Sequence, residues 1–309
     1  MMGAVGERFL VTGAYGCIGA WVVHELVRDG RPVVTFDLST EPRRVRLLLG
    51  EETSSVPHVV GDITDGASLE HAIEEHEITN VIHLAALQVP FVRADPPLGA
   101  RVNVLGTVNV FEAAKRFDLA PIVYASSIAA LDRDARTIAP PSTLYGVFKR
   151  ANEHTARVYL EENGIASVGL RPHTVYGVGR DQGVTSAPTA AMLAAAAGKP
   201  YTIPYGGACQ MQLARDVARA FIAASDARAE GADVHNLPGA RTPIADIVAA
   251  IGADSIGYDG DPLPFAEEMD ASSFHALVPS FAETPLDQGV EQTMTRFRQL
   301  LSEGLVTAP

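Results

Sequence analysis

The stretch VTGAYGCIGAWVVHEL, residues 11–26, decides the fold. It opens at the end of an apolar, β-branched run and closes with apolar residues at helical spacing, with Gly13, Gly16 and Gly19 between. A strand that turns through small residues directly into a helix lets the backbone approach a pyrophosphate. The helix start then offers unpaired N–H groups and the positive end of its dipole. The spacing is G-x-x-G-x-x-G, one residue longer than the common dinucleotide fingerprint. Three glycines after a strand are often only a turn. Here Asp37 closes the next β-branched run about twenty residues on, where the fingerprint needs an acid. A carboxylate there accepts hydrogen bonds from a free ribose 2′-hydroxyl and repels a 2′-phosphate, so the expected cofactor is NAD rather than NADP. Arg43 and Arg44 follow closely and could favour the phosphate, but they read first as a solvated helix start.

Outward from this stretch, strands and helices alternate. RFLVTG (8–13), PVVTFD (32–37), PHVVGD (57–62), NVIHLAA (80–86), PIVYASS (121–127) and IASVGLRP (165–172) read as strands. Segments near 17–29, 65–76, 97–117 and 142–163 carry helical periodicity. The pattern predicts an α/β fold, a Rossmann-type doubly wound parallel sheet with a smaller C-terminal substrate-binding lobe. Residues 1–171 would form the NAD-binding domain and 172–309 the lobe, packed as one fold unit.

Composition excludes several partners. A net charge of −13 argues against nucleic acid or an anionic membrane, which need clustered Lys and Arg. The longest bland apolar run, AAMLAAAAG (190–198), is too short to span a bilayer. No N-terminal stretch reads as a signal peptide. Two cysteines, Cys17 and Cys209, make no disulfide framework, and no Cys/His spacing fits a metal. A cytoplasmic, reduced protein is expected. Cys17 in the glycine loop and His83 in VIHLAA read as a space-filler and a satisfied buried histidine.

The catalytic reading starts from PPSTLYGVFKRANE (140–153), where Tyr145 and Lys149 lie four apart on one helix face. They follow a strand ending in YASS, whose carboxyl end faces the same crevice as the glycine loop. A phenol with pKa ~10 is a poor base at neutral pH. A lysine ammonium one turn away, with the positive nicotinamide ring, would stabilise the phenolate. Lowering that pKa by about three units corresponds to roughly 4 kcal/mol. A serine hydroxyl from the neighbouring strand end, Ser127, could hold the substrate oxygen.

Together TGAYGCIG, Asp37, GDI, HLAA, NVLGTVNVFEAA, YASS, YGVFK and RPHTVYG resemble, in order, the extended branch of the short-chain dehydrogenase/reductase superfamily, the NAD-dependent epimerase/dehydratase-like group. The resemblance implies that Tyr145 is the catalytic base and that Lys149 supports it and holds the nicotinamide ribose. Ser127 would be the catalytic serine, with Ser126 the alternative if the register is one off. It places the cofactor against Gly13, Tyr15, Gly16, Cys17, Ile18, Gly19, Asp37, Asp62, Ile63, Leu84, Ala85, Ala86 and Pro172, although Ile63 also reads as plain core. Asn103 matches an asparagine that is usually structural. The helices near 97–117 and 142–163 would pair across a homodimer, using apolar residues such as Val108, Phe111, Val158 and Leu160.

The substrate side departs from family members that act on nucleotide-diphosphate sugars. Thr174 stands where an asparagine is usual, Gln210 to Gln212 stand in an expected arginine region, and residues 242–295 contain no Lys or Arg. Arg180 and Arg215 remain for a diphosphate, or are surface charges. Gln88, Ser126, Ser127, Tyr145, His173 and Thr174 are the candidate substrate contacts; Gln88, Ser127, His173 and Thr174 each follow a strand end facing the nicotinamide. Two enzyme readings compete. One is an NAD-dependent dehydrogenase acting on a hydroxyl of a small sugar, sugar acid or related compound. The other is a nucleotide-sugar epimerase or dehydratase retaining NAD. A non-catalytic NAD sensor is a third reading, and the intact serine, tyrosine and lysine set argues against it.

Overall fold

Each of the six expected strand runs is a strand in the computed structural model, which describes residues 6–134 and 141–309. They are β1 (Phe9–Thr12), β2 (Val33–Asp37), β3 (His58–Val60), β4 (Asn80–His83), β5 (Ile122–Ala125) and β6 (Ser167–Arg171). Later strands are β7 (Thr174–Tyr176), β8 (Tyr201–Ile203), β9 (Ala208–Leu213), β10 (Ala232–Asn236), β11 (Arg241–Pro243) and β12 (Ile256–Tyr258). Seven strands form one parallel sheet in the order β10-β6-β5-β4-β1-β2-β3. The order reverses at β1, and ligands of open α/β sheets bind beyond the strand ends at such a switch point. Thr12 lies level with Phe36 on one side and His83 on the other, so Gly13 and Leu84 leave the sheet side by side.

The helices of the first half are α1 (Cys17–Arg28), α2 (Arg43–Leu49), α3 (Gly66–Glu75), α4 (Val89–Ala94), α5 (Pro96–Ala100), α6 (Gly106–Phe117) and α7 (Leu144–Asn163). The second half adds α8 (Ala187–Ala196), α9 (Ala214–Asp226), α10 (Ile244–Ile251), α11 (Ser272–Leu277) and α12 (Leu286–Ser302). Local chemistry sets their ends. The Asp65 carboxylate accepts from the Ala67 and Ser68 amides to cap α3, and Thr143 accepts from the Gly146 amide to cap α7. Gly164 then stops α7 at φ 72°, in the left-handed region glycine favours.

Both sheet faces are covered, which is why the strands read as apolar runs rather than alternating ones. Along β1, Phe9 and Val11 pack with Val22 and Leu26 of α1 and Phe221 of α9, while Leu10 packs with Leu69, Ile73 and Phe111 on the other face. Burying each such side chain is worth roughly 1.5–3 kcal/mol. A third cluster, including Tyr176, Met192, Ile247 and Phe297, forms the core of the lobe around the β11-β9-β7 sheet.

Three expectations need correction. The chain division at 171/172 is not a division in space, because α9 and β10 return to the sheet, β10 pairing with β6. The helix expected over 97–117 is interrupted by a π turn at Arg101–Leu105. There the buried Asn103 accepts from the Leu87 amide and donates to the Leu87 carbonyl, at 2.7 and 2.9 Å, so its role is structural. Phe111 is fully buried, against Tyr124 and Tyr159, and cannot belong to an exposed helix face; Val158, at 46% exposure, can.

Candidate active site

The glycine turn is built for close backbone approach. Gly13 has φ 65°, and a Cβ there would lie 2.6 Å from the Ala85 amide nitrogen; one on Gly19 would lie 2.3 Å from the Gly13 carbonyl. With no room for side chains, the strand end and helix start are pressed together. The α1 N-terminus has no side-chain cap, so its first amides are free to meet an anion. Asp37, at the end of β2, accepts from the Tyr15 amide at 2.9 Å and from the Ser39 amide at 3.0 Å. A partly exposed carboxylate there, the bare amides and the crowded glycines all fit a dinucleotide. Tyr15 stacks on His58 with centroids 4.6 Å apart.

One cavity of about 210 Å³ joins this turn to the candidate catalytic residues: Gly13, Gly16, Cys17, Ile18 and Gly19 line one side, and Ser127, Tyr145 and Lys149 another. Leu84, Ala86 and Gln88 after β4, with Pro172 after β6, complete the walls. Ala85 is absent from this lining; its amide donates to Thr12 Oγ1 behind the turn. Asp62 is exposed and accepts from the Thr64 amide, whereas the Ile63 side chain is core, packed under Gly106. His83 lies between the Thr12 and Thr107 hydroxyls at 2.7 and 3.2 Å, and burial drops its pKa to about 3. It is the satisfied neutral histidine expected. Burial raises the Cys17 thiol to about 11, opposed by the nearby Arg180 and Arg44, which fits a space-filler in the turn.

The α7 start seats the tyrosine. A Cβ on Gly146 would lie 1.9 Å from the Ala129 carbonyl, so only glycine lets this turn press on the segment that begins at Ser127. Burial raises the Tyr145 phenol above its ordinary value, opposed by a hydrogen bond with Ser127 and by the Arg180 charge. Lys149 Nζ donates to the Ala125 carbonyl at 2.6 Å and stands 5.7 Å from the Tyr145 ring centroid. Burial lowers this ammonium to about 8, with Glu153 one turn on acting to raise it. Ser127 and Arg180 are the groups that oppose the effect of burial on the phenol, with the Lys149 ammonium beside the ring.

Several expected substrate contacts are engaged elsewhere. Ser126 lines the cavity, but its hydroxyl donates to Glu153, which also pairs with Arg171 at 2.6 Å. His173 lines it too, with Nε2 donating to the Ala266 carbonyl at 2.7 Å and Nδ1 facing the Thr174 hydroxyl at 3.1 Å. Thr174 is fully buried and does not reach the cavity; it orients His173. Gln210 donates to the Gly239 and Met269 carbonyls, and Gln212 to those of Leu237 and Pro238, so both tie loops together. Arg215 pairs with Glu25 at 2.9 Å on the far side of α1 and does not line the cavity.

The residue that sequence reasoning underrated is Arg180. It lines the cavity that holds Ser127, Tyr145 and Lys149 and the adjoining space over the glycine turn. The available cue was its position: the loop 177–183 leaves β7 on the crevice side. The same loop corrects the reading of Arg43 and Arg44 as merely solvated. Both pair with Asp181, at 2.7 and 2.6 Å, and Arg44 also donates to the Tyr15 carbonyl. Trp21 Nε1 donates to the Val178 carbonyl at 2.9 Å, so the loop straps across the start of α1.

A family model described as "NAD dependent epimerase/dehydratase family" matches residues 9–237. UDP-glucuronate 4-epimerase 3 of Arabidopsis thaliana is 35% identical over 188 residues, covering 56% of this chain and 43% of that protein. The chain thus matches less than half the length of this curated relative. Among solved structures, the holo form of an L-threonine dehydrogenase from Cupriavidus necator superposes with a TM-score of 0.82 at 25% identity, covering 93% of this chain and 99% of that one. The UDP-glucose 4-epimerase of Thermus thermophilus in complex with NAD gives 0.77 at 25% identity, covering 94% and 99%.

Proposed function

Given that this chain belongs to the NAD-dependent epimerase/dehydratase family of extended short-chain dehydrogenases/reductases, we propose that it oxidises a hydroxyl of a small sugar, sugar acid or related hydroxy compound. The observation that carries this reading is the convergence of Ser127, Tyr145 and Lys149 with the glycine turn on one cavity. NAD, when bound, supplies the acceptor for the hydrogen that leaves the substrate carbon with its electron pair. Tyr145 Oη takes the hydroxyl proton as the C–O bond becomes a carbonyl. Ser127 holds the substrate oxygen through the hydroxyl it already directs at Tyr145. Lys149, fixed by the Ala125 carbonyl, supplies the positive charge beside the phenol and a donor for the nicotinamide ribose. Gly13, Gly16 and Gly19 with the α1 amides would cradle the pyrophosphate, and Asp37 the adenosine ribose.

A substrate without a nucleotide is favoured by the lobe. The glutamines at 210 and 212 are consumed by backbone carbonyls and Arg215 by Glu25, so no cluster of free guanidiniums remains for a diphosphate among the described residues. The epimerase reading draws on the activities named for the Arabidopsis and Thermus proteins. Purified protein incubated with added NAD and a panel of sugars and sugar acids distinguishes the two. Multiple-turnover NADH formation supports the dehydrogenase. NAD that survives gel filtration, with micromolar UDP-glucose binding and no net NADH, refutes it. The same reading includes a homodimer through α6, α7 and their flanks, where Leu105, Leu144, Val147 and Val158 are exposed.

A further inference from the structure

Resting on the dehydrogenase reading, we infer that the substrate carries a single carboxylate and that Arg180 is the residue that binds it. The cavity wall on this side mixes Val184, Ile128 and Phe265 with Gln88 and Thr185, and a guanidinium is held within it. Nη2 of Arg180 donates to Thr185 Oγ1 at 2.9 Å, and its Nε is buried with no partner. Among the described residues no carboxylate pairs with Arg180, whereas the neighbouring Arg43 and Arg44 share Asp181 and Arg171 has Glu153. The guanidinium as a whole is only partly buried and lines the cavity without a counter-ion, the arrangement that an anionic ligand would complete.

The position is built. Gly183, at φ 96°, has a backbone that a side chain would strain, and it lies directly against the ends of Gln88 and Arg180: a Cβ there would be 2.3 Å from Gln88 Oε1 and 3.2 Å from Arg180 Nη2. The loop therefore closes on Gln88 and the guanidinium together, holding Arg180 against the cavity instead of releasing it to solvent. Its charge reaches the reacting group, since it opposes the rise of the Tyr145 phenol.

Charge balance selects the anion. Lys149 donates to the Ala125 carbonyl and stands beside the Tyr145 ring, so Arg180 is the Lys or Arg left in the described cavity wall for recognition. One guanidinium neutralises one carboxylate in bidentate fashion. A diphosphate would bring at least one further charge, with no second uncommitted Lys or Arg in the described lining to neutralise it. The substrate class is therefore a short hydroxy acid, whose carboxylate rests on Arg180 while its hydroxyl meets Tyr145 and Ser127.

The test is calorimetric titration of NADH-loaded protein with matched pairs: D-gluconate and D-glucitol, L-threonine and L-threoninamide, 3-hydroxybutyrate and 3-hydroxybutyramide. At least one acid should bind more tightly than its neutral partner by about 10- to 100-fold, the range of one charge-assisted contact. Arg180→Met should bring that pair to within about threefold, mostly through weaker binding of the acid. Equal affinities within every pair for the wild-type protein overturn the proposal without any variant. Micromolar UDP binding lost in Arg180→Met also overturns it, by giving the guanidinium to a phosphate. An acid preference that depends on Arg180 but yields no NADH with any acid and added NAD supports the carboxylate site and refutes the dehydrogenase reading.

Discussion

Replacing Lys149 with methionine should abolish activity while leaving the fold as stable as before, or more so, at neutral pH. The lysine is 4% exposed and its ammonium has a pKa of about 8 against an ordinary 10.5. That difference means that the fold carries a cost of roughly 3 kcal/mol for keeping the charge inside. The unfolded chain binds the proton up to pH 10.5 and the folded chain only to about 8. The cost is thus complete below pH 8 and relieved as pH rises to 10.5. Methionine carries none of it but loses the bond to the Ala125 carbonyl, and an unpaired buried carbonyl costs about 1–3 kcal/mol. At pH 7 the variant should lie between equal stability and about 2 kcal/mol more stable; near pH 10.5 it should be the less stable by about 1–3 kcal/mol. Urea unfolding followed by the fluorescence of Trp21 at intervals from pH 7 to 10.5 measures this. A stability difference that does not change with pH, or a variant more than about 2 kcal/mol weaker at pH 7, would refute the reasoning.

Other substitutions test neighbouring parts of the site. Tyr145→Phe should lower kcat by about 10²- to 10⁴-fold with NAD affinity nearly unchanged; retention of a tenth of the activity rules out the phenol as base. The wild-type protein should strongly prefer NAD over NADP, and Asp37→Ser should weaken NAD and relax the exclusion; equal kcat/KM for the two cofactors in the wild type overturns this. Asp181→Asn should loosen the strap held by Arg43 and Arg44 and speed dissociation of NADH in stopped flow by several-fold, with little effect on thermal stability because exposed pairs contribute about 0–1 kcal/mol. An unchanged release rate would remove that loop from any role in cofactor exchange.

The parallel sheet and the cofactor turn were legible because their causes are local: β-branched runs, crowded glycines and an acid at a fixed distance. Tyr145 and Lys149 were legible for the same reason, lying four apart on one helix. The substrate side was not, because its contacts are made between segments far apart in sequence. Nothing near Thr174 says that its hydroxyl faces His173, and nothing near Ser126 says that its hydroxyl donates to Glu153. Arg180 and Arg215 look alike in sequence. One is held in the cavity by Thr185 and Gly183, while the other is drawn away by Glu25, a partner 190 residues earlier. Asp181 similarly reaches back to α2, so the strap could not be anticipated from either end alone.

The return of α9 and β10 to the sheet has a consequence for how the chain is made and cut. A fragment ending at residue 171 would look like a complete nucleotide-binding module, yet it would leave β6 as an unpaired edge and bare the α1 face that Val217 and Phe221 cover. Such an edge offers its free backbone groups to another chain, so the fragment should aggregate rather than bind cofactor. During synthesis the first six strands must wait, unfinished, for more than sixty residues to follow before Ala232–Asn236 closes the sheet. Long-range pairing of this kind is slow. The interval between β6 and β10 is where the nascent protein is most exposed to misassociation, and where a holding chaperone would matter most.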